Sequence, residues 1–155
     1  MIKAYRRTSF RYDFIRENHE KEINFSFKFV SQEGKDKKKP HFKGLNLHFE
    51  FFNIKNNDLV LGPFQGKVAC MHIPSGKGVC GTCALQRCTQ LVENVHTFPS
   101  HIACDSASNS EIVIPLIKEN TLLGVLDVDS PILARFDTID QHYLEQAVAI
   151  LLQSL

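Results

Sequence analysis

Residues 111–129 read EIVIPLIKENTLLGVLDVD, two apolar runs separated by the polar pair Glu119-Asn120. Two such runs joined by a short polar turn predict an antiparallel β-hairpin. A turn centred on that pair places opposite each other residues whose numbers add up to about 239 or 240. Glu111 therefore lies opposite Val128 in the first of these registers and opposite Asp129 in the second.

The acidic residues of this hairpin share one face in the second register. Asp127 and Asp129 are two residues apart on one strand, so both side chains point to the same side, and Glu111 joins them from the partner strand. Three carboxylates this close repel one another unless a cation lies among them or one carboxyl keeps its proton through a raised pKa. The spacing leaves two interpretations open, a binding site and an exposed strand end.

The remaining segments predict further short elements around the hairpin. Leu45–Phe51 alternates apolar residues with Asn46, His48 and Glu50, which is typical of a half-buried strand. The other predicted elements are a turn at 56–58, strands at 59–61, 67–73 and 89–92, a helix at 82–87, an irregular loop at 96–109 and a helix capped at 137–140. This pattern predicts an α+β domain with about six mostly antiparallel strands flanked by helices.

Length and composition favour one globular domain over residues 1–155, with an atypical segment at 1–44. Hydrophobic residues make up 43% of the 155 residues and charged residues 23%, which excludes disordered and fibrous classes. No apolar run approaches the ~20 residues that cross a bilayer, and the first residues lack the apolar stretch of a secretory signal. We therefore expect a cytoplasmic protein without a membrane partner.

The net charge of +1 conceals an uneven distribution. Residues 1–55 hold 13 of the 18 basic side chains but only 7 of the 17 acidic ones. The densest basic run, Lys35–Lys39, contains no interleaved aromatic residue and belongs to no recognised nucleic-acid motif. We interpret it as a solvated loop and expect no nucleic-acid partner.

The five cysteines are the residues most suited to chemistry, because a reducing compartment favours catalytic or metal-binding cysteines over structural disulfides. Cys104, in HIACDS, is a candidate nucleophile whose thiolate His101 could help to keep, although a buried apolar cysteine is the common alternative. Cys70 is expected to be buried on its strand. Cys80 lies between two glycines and is expected to be the more accessible.

The spacing of Cys80, Cys83 and Cys88 also suggests a zinc or iron–sulfur site. A fourth ligand at similarly short spacing is missing from this segment. We therefore predict no metal and interpret Cys83 and Cys88 as a helix thiol and a surface thiol.

Four segments together resemble the motif series of the free methionine-(R)-sulfoxide reductases: LVLGPFQGKVAC, IPSGKGVCGTC, VHTFPSHIACDSASNSEIVIPL and GVLDVDSP. The resemblance runs from about Leu59 to the end of the chain and preserves the order and spacing of the motifs. It implies a GAF fold and thiol-dependent reduction of free methionine (R)-sulfoxide to methionine, without a cofactor. It also implies a thioredoxin-type reductant and makes a homodimer reasonable.

The same resemblance implies roles for three cysteines. Cys104 corresponds to the catalytic nucleophile, which would pass through a sulfenic acid to an intramolecular disulfide. Cys70 corresponds to the first resolving partner and Cys80 to a partner or relay, and the order of these two stays open.

The acidic pocket residues of the family match Glu111, Asp127 and Asp129, the three that the hairpin register also groups. A sulfoxide sulfur is a poor electrophile until its oxygen is protonated, so a carboxylic acid with a raised pKa must accompany the thiolate. Glu111 and Asp129 are the candidates for that acid. Asp127 suits the ammonium group of a free amino acid.

The chain departs from the family upstream of these motifs. Family members read like NWVGFY where this chain reads LNLHFEFF, which puts His48 at the place of the tryptophan and Glu50 at that of the glycine. We expect His48 to contact the substrate in place of that tryptophan. The alternative function is a GAF small-molecule-binding or sensor module that has lost catalytic activity.

Overall fold

The computed structural model describes residues 48–65 and 70–153. The described elements, in chain order, are β1 (His48–Lys55), β2 (Asp58–Gln65), β3 (His72–Ile73), α1 (Gly78–Gln86), β4 (Gln90–Val92), a 3₁₀ turn (Val95–Thr97), β5 (Ser110–Lys118), β6 (Thr121–Ser130) and α2 (Thr138–Gln153). The predictions for the atypical segment 1–44, the Lys35–Lys39 loop and the start of the Leu45–Phe51 strand lie outside the described residues.

The six described strands form one sheet in the order β3-β2-β1-β6-β5-β4, and each neighbouring pair is antiparallel. With two helices packed against it, this sheet confirms the predicted α+β class and strand number. The central strands β1 and β6 pair with each other although more than sixty residues separate them in the chain. That long-range pairing joins the first described hairpin to the second.

The β5–β6 hairpin contains both of the registers that the sequence allowed. Close to the turn, Lys118 pairs with Thr121, and beyond an irregularity after Leu116 the pairing shifts by one residue, so that Glu111 lies opposite Asp129. The turn residues both have positive φ, as a two-residue turn of this type requires. Gly124 is needed beside the irregularity, because a β-carbon there would collide with the Phe52 carbonyl oxygen of β1.

Helix α1 begins at Gly78, four residues earlier than predicted, and therefore includes Cys80. Its first turn fits closely over the preceding loop, since a β-carbon on Gly81 would approach the Pro74 carbonyl oxygen to 2.6 Å. The Thr82 hydroxyl donates to the Gly78 carbonyl oxygen at 2.6 Å. The predicted start was wrong because the helix needs small residues for this packing, rather than a polar capping side chain.

The sheet buries side chains on both faces. The face under α1 carries a continuous apolar cluster that includes Phe52, Val113 and Val125 from the strands and Val79 and Cys83 from the helix. The opposite face buries a second set of residues, namely Phe51, Ile112, Ile114, Leu126 and Val128 from the sheet and Leu144, Ala147 and Val148 from α2. The central strands β1 and β6 therefore have buried side chains on both faces of the sheet.

One prediction for the first strand is wrong for this reason. Glu50 was expected on a solvated face of a half-buried strand, but only 2% of its surface is exposed. Burial on both faces leaves no polar side to a central strand, so a charged residue there must face a cavity or another polar group. Of the third predicted strand, at 67–73, the structure assigns His72–Ile73 to β3, and residues 67–69 lie outside the described residues.

The predicted helix cap is confirmed, because Asp137 Oδ1 accepts hydrogen bonds from the backbone N–H groups of Ile139 at 2.7 Å and Asp140 at 3.0 Å. The irregular segment between the 3₁₀ turn and β5 is also as predicted. Across the part of the chain that the structure describes, none of the helices has both the length and the apolar character needed to pass through a bilayer.

Candidate active site

A pocket opens between α1, the loop after the 3₁₀ turn and the α1-facing side of the sheet. Five of the residues predicted from the sequence are involved in it. Cys80, Cys104, Glu111, Asp127 and Asp129 all line the pocket. The structure thus brings together two of the three predicted redox cysteines and all three predicted acids.

The strand register explains why the acids converge. Glu111 lies directly opposite Asp129 across the β5–β6 ladder, and Asp127 lies opposite Val113 on the same face. Paired residues of an antiparallel ladder point to the same side, so the three carboxylates project together toward α1. The binding-site interpretation of the hairpin is therefore the one that this geometry favours over an exposed strand end.

Burial changes the protonation of two of these acids. Glu111 and Asp127 are 6% and 5% exposed, respectively. Burial and the nearby charge of Asp129 raise the pKa of the Glu111 carboxyl well above its ordinary value, and the same causes raise the pKa of Asp127. These raised pKa values favour a proton shared among the carboxyls, which would provide a general acid within the pocket.

The Cys80 thiol donates hydrogen bonds to the carboxyls of Asp127 and Glu111. Its Sγ lies 2.9 Å from Asp127 Oδ2 and 3.7 Å from Glu111 Oε1. Burial, followed by the charges of Asp127 and Glu111, raises the pKa of the thiol well above its ordinary value. The expectation that Cys80 would be accessible is wrong, since its surface is 4% exposed; the early start of α1 turns this residue inward.

Asp127 has one oxygen that receives no hydrogen bond from the described residues. Oδ2 accepts the Cys80 thiol, whereas Oδ1 is buried and has no hydrogen-bond partner in the part of the chain that the structure describes. A buried carboxylate oxygen without a donor is costly, and a positively charged ligand group in the pocket would relieve that cost. The residues around it thus provide a place for a cation or an ammonium group.

Cys104, which also lines the pocket, has different surroundings. It is half-buried in the loop before β5 and forms a disulfide with Cys70, with the two Cα atoms 5.1 Å apart. Cys70 itself is half-buried rather than fully buried and lies just before β3. The structure therefore joins the predicted nucleophile to the predicted first resolving cysteine and leaves Cys80 as a thiol.

His101 lines the pocket, but its imidazole is less readily protonated than an ordinary histidine. Burial, followed by the nearby His96, lowers the pKa of the His101 imidazole below its ordinary value. The two rings lie 6.1 Å apart, centroid to centroid. A neutral imidazole at physiological pH gives a thiolate little electrostatic support, so the thiolate cannot depend on a positive charge at His101.

The remaining two cysteines, Cys83 and Cys88, differ in burial. The Cys83 thiol is buried and donates to the Val113 carbonyl oxygen at 3.5 Å, and Cys88 is exposed. Among the described residues, the one group of His, Cys, Asp and Glu atoms close enough to hold a metal joins Cys80 with Glu111 and Asp127 instead. The prediction of a helix thiol and a surface thiol is therefore confirmed.

Sequence reasoning missed Glu50 as a site residue. Glu50 pairs with Asp127 across the β1–β6 ladder and lines the same pocket, as does Asp105 from the loop. Burial, with the charges of Asp129 and Asp105, raises the pKa of Glu50 to about 7. Local alternation could not identify it, because the β1–β6 pairing is formed between distant segments. The backbone of His48 lies opposite Asp129 at the start of β1, and a substrate contact for its side chain stays a prediction.

Comparison with known proteins gives the same fold. The GAF domain family matches residues 29–155. The free methionine-R-sulfoxide reductase of Escherichia coli K12 is 54% identical over 99 residues, which cover 64% of this chain and 60% of that protein. This chain thus spans less than two thirds of that relative.

Two solved structures are similar over most of the described region. The reduced form of fRMsr from Staphylococcus aureus has a TM-score of 0.67 and 52% identity, covering 68% of this chain and 69% of its own. Free methionine-R-sulfoxide reductase from Neisseria meningitidis, solved in complex with its substrate, has a TM-score of 0.67 and 44% identity, covering 72% and 67% of the respective chains.

Proposed function

The chain belongs to the GAF domain family, and from that premise we propose that it reduces free methionine (R)-sulfoxide to methionine with electrons from a thiol. One observation carries the proposal: Cys104, bonded to Cys70, lines the same pocket as the buried Glu111, Asp127 and Asp129. A nucleophilic sulfur, a partner thiol and a protonated carboxyl are the groups that this reaction requires. Relatives named for this activity support the choice of substrate.

Recognition of a free amino acid follows from the charges of the pocket. A free methionine sulfoxide carries an ammonium group that a residue within a peptide lacks. Asp127 Oδ1, which has no hydrogen-bond partner within the described residues, is the acceptor that we assign to this group. An ammonium there also lowers the cost of ionising Asp127 while Glu111 keeps its proton.

The first chemical step takes place between Cys104 and the sulfoxide. The Cys104 thiolate attacks the substrate sulfur while Glu111, with Asp129 opposite it, donates a proton to the sulfoxide oxygen. The sulfur–oxygen bond and the new bond between the two sulfurs then break as the hydroxyl group passes to Cys104. Methionine leaves reduced by two electrons, and Cys104 is oxidised to a sulfenic acid.

The second step regenerates the enzyme through a disulfide. The Cys70 thiol attacks the Cys104 sulfenic acid, forms the sulfur–sulfur bond and releases water. A thioredoxin-type dithiol then reduces this disulfide and becomes a disulfide itself. Burial and hydrogen bonding keep Cys80 protonated, which supports Cys70 rather than Cys80 as the first resolving cysteine. We assign Cys80 the part of a later partner or relay.

The activity is tested by methionine release from the full chain. The protein is given each epimer of free methionine sulfoxide, or a peptide-bound sulfoxide, with dithiothreitol or a thioredoxin system as reductant. We expect turnover of the free R epimer alone, and Cys104→Ser should lower it by at least about 100-fold because the nucleophile is gone.

Cys88→Ser is the matched control, because this thiol is exposed and does not line the pocket, and it should retain normal turnover. Turnover of the free R epimer by Cys104→Ser at the normal rate would refute the assigned mechanism. Binding of free methionine sulfoxide by the intact protein without any methionine release would instead favour the sensor alternative. Size-exclusion chromatography with light scattering on the same sample tests the proposed homodimer.

A further inference from the structure

Glu50 is a buried carboxylate that the reaction described above does not use. It lies on β1, pairs directly with Asp127 of β6, and is 2% exposed. The β-carbons of such cross-strand neighbours lie about 4.5–5.5 Å apart, and both side chains point to the same face. Glu50 and Asp127 therefore form adjacent parts of one pocket wall.

The surroundings of Glu50 are strongly acidic. Carboxylates from three other positions line the pocket with this pair, and among the described residues two basic side chains do so, Lys77 before α1 and His101 in the loop. The titratable groups facing the pocket are Glu50, Lys77, Cys80, His101, Cys104, Asp105, Glu111, Asp127 and Asp129. A buried carboxylate in such a set is stable only when it keeps a proton or when a cation reaches it.

We propose that Glu50 is a substrate-binding residue that receives the ammonium group of free methionine sulfoxide together with Asp127. The inference rests on the proposed function and adds a specificity-determining contact to it. An ammonium group has three donors, and Asp127 Oδ1 has no hydrogen-bond partner within the described residues. Two adjacent carboxylates can share one ammonium, whereas an N-blocked amino acid provides no charge to offset them.

The pH at which this contact acts follows from the state of Glu50. Its pKa of about 7 means that the carboxyl is neutral in mildly acidic solution and charged in mildly alkaline solution. A charged carboxylate binds an ammonium more strongly than a neutral one does. The contribution of Glu50 to substrate affinity therefore grows as the pH rises through neutrality.

The test compares KM and kcat of the wild type with those of Glu50→Gln, which keeps the size of the side chain and removes its charge. At about pH 8.5 we expect the variant to have a KM for free methionine (R)-sulfoxide about five- to tenfold higher, with kcat nearly unchanged. At about pH 5.5 the two KM values should agree within about twofold, because Glu50 is then protonated in the wild type. Glu93→Gln, an exposed site outside the pocket, should match the wild type at both pH values.

A KM ratio that is the same at both pH values, or a loss confined to kcat, would overturn the role of Glu50 while leaving the reductase activity in place. Absence of methionine release by the wild type would refute the proposed function instead. In that case the carboxyl ¹³C signal of Glu50, titrated by NMR in the reduced wild type, still decides the matter. Added methionine sulfoxide should lower the apparent pKa of Glu50, and N-acetylmethionine sulfoxide should not; an unchanged pKa with both compounds overturns the proposal.

Discussion

Cys80 and Cys104 line the same pocket but lie in opposite surroundings. Cys80 lies in α1, is buried, and donates a hydrogen bond to Asp127. Cys104 lies in a loop, is half-buried, and is bonded to another cysteine, Cys70. Because the thiolate is the reactive form of cysteine, the carboxyl that accepts the Cys80 thiol suppresses its reactivity, whereas the sulfur of Cys104 is held in a disulfide.

The difference shows that presence in the pocket does not by itself make a cysteine reactive. The acids that would protonate a sulfoxide oxygen also keep a neighbouring thiol protonated. The nucleophilic thiolate therefore needs a position apart from these acids. In the proposed mechanism, Cys80 lies on α1 beside the acids and Cys104 lies in the loop before β5.

The buried acids of the pocket, Glu50 among them, should weaken the fold as the pH rises. An acid whose pKa is raised by folding contributes stability that is fully present below its ordinary pKa and is lost as the pH rises through the folded value. For Glu50 that interval runs from 4.5 to about 7. Across it the wild type should lose up to about 3 kcal/mol of unfolding free energy that Glu50→Gln does not lose.

Urea unfolding of the substrate-free protein at several pH values measures this effect. Glu93→Gln serves as the control, because it removes a carboxylate from an exposed position. Parallel pH profiles of unfolding free energy for the wild type and Glu50→Gln would mean that folding does not raise the pKa of Glu50.

Replacement of Cys80 should separate a hydrogen-bonding role from an obligatory redox role. Cys80→Ser keeps a donor for Asp127 and should retain first-turnover methionine release within about twofold, whereas Cys80→Ala removes the donor and should lower it about fivefold. The reason is that Asp127 Oδ2 loses its partner only in the alanine variant.

Single-turnover release of methionine from the reduced protein gives this comparison without interference from later disulfide exchange. Cys88→Ser controls for the loss of a thiol as such. Equal and large losses in the serine and alanine variants would show that the sulfur of Cys80 is itself required for the first turnover.

The β5–β6 hairpin and its acids could be predicted from the sequence because the information is local. A two-residue turn and the alternation of the strands restrict the pairing to two registers, and Glu111 lies with Asp127 and Asp129 on one face in one of them. The α2 cap could be predicted for the same reason, since Asp137 bonds to residues within its own turn.

The burial of Glu50 and Cys80 could not be predicted, because it depends on contacts between distant segments. Glu50 faces the pocket only because β1 pairs with β6, and Cys80 turns inward only because α1 begins at Gly78 and packs over the sheet. Neither contact leaves a periodic signal in the neighbouring residues. The motif resemblance identified Cys80 as important but carried no information about its protonation.

The most direct test of the account is to trap the oxidised cysteine in the first turnover. Reduced Cys70→Ser protein, which lacks the proposed resolving thiol, is mixed with one equivalent of free methionine (R)-sulfoxide and dimedone, and the labelled peptide is identified by mass spectrometry. We predict release of one methionine per chain and a dimedone adduct on Cys104, because the sulfenic acid persists when Cys70 is absent. An adduct on Cys80, with Cys104 unlabelled, would contradict the account.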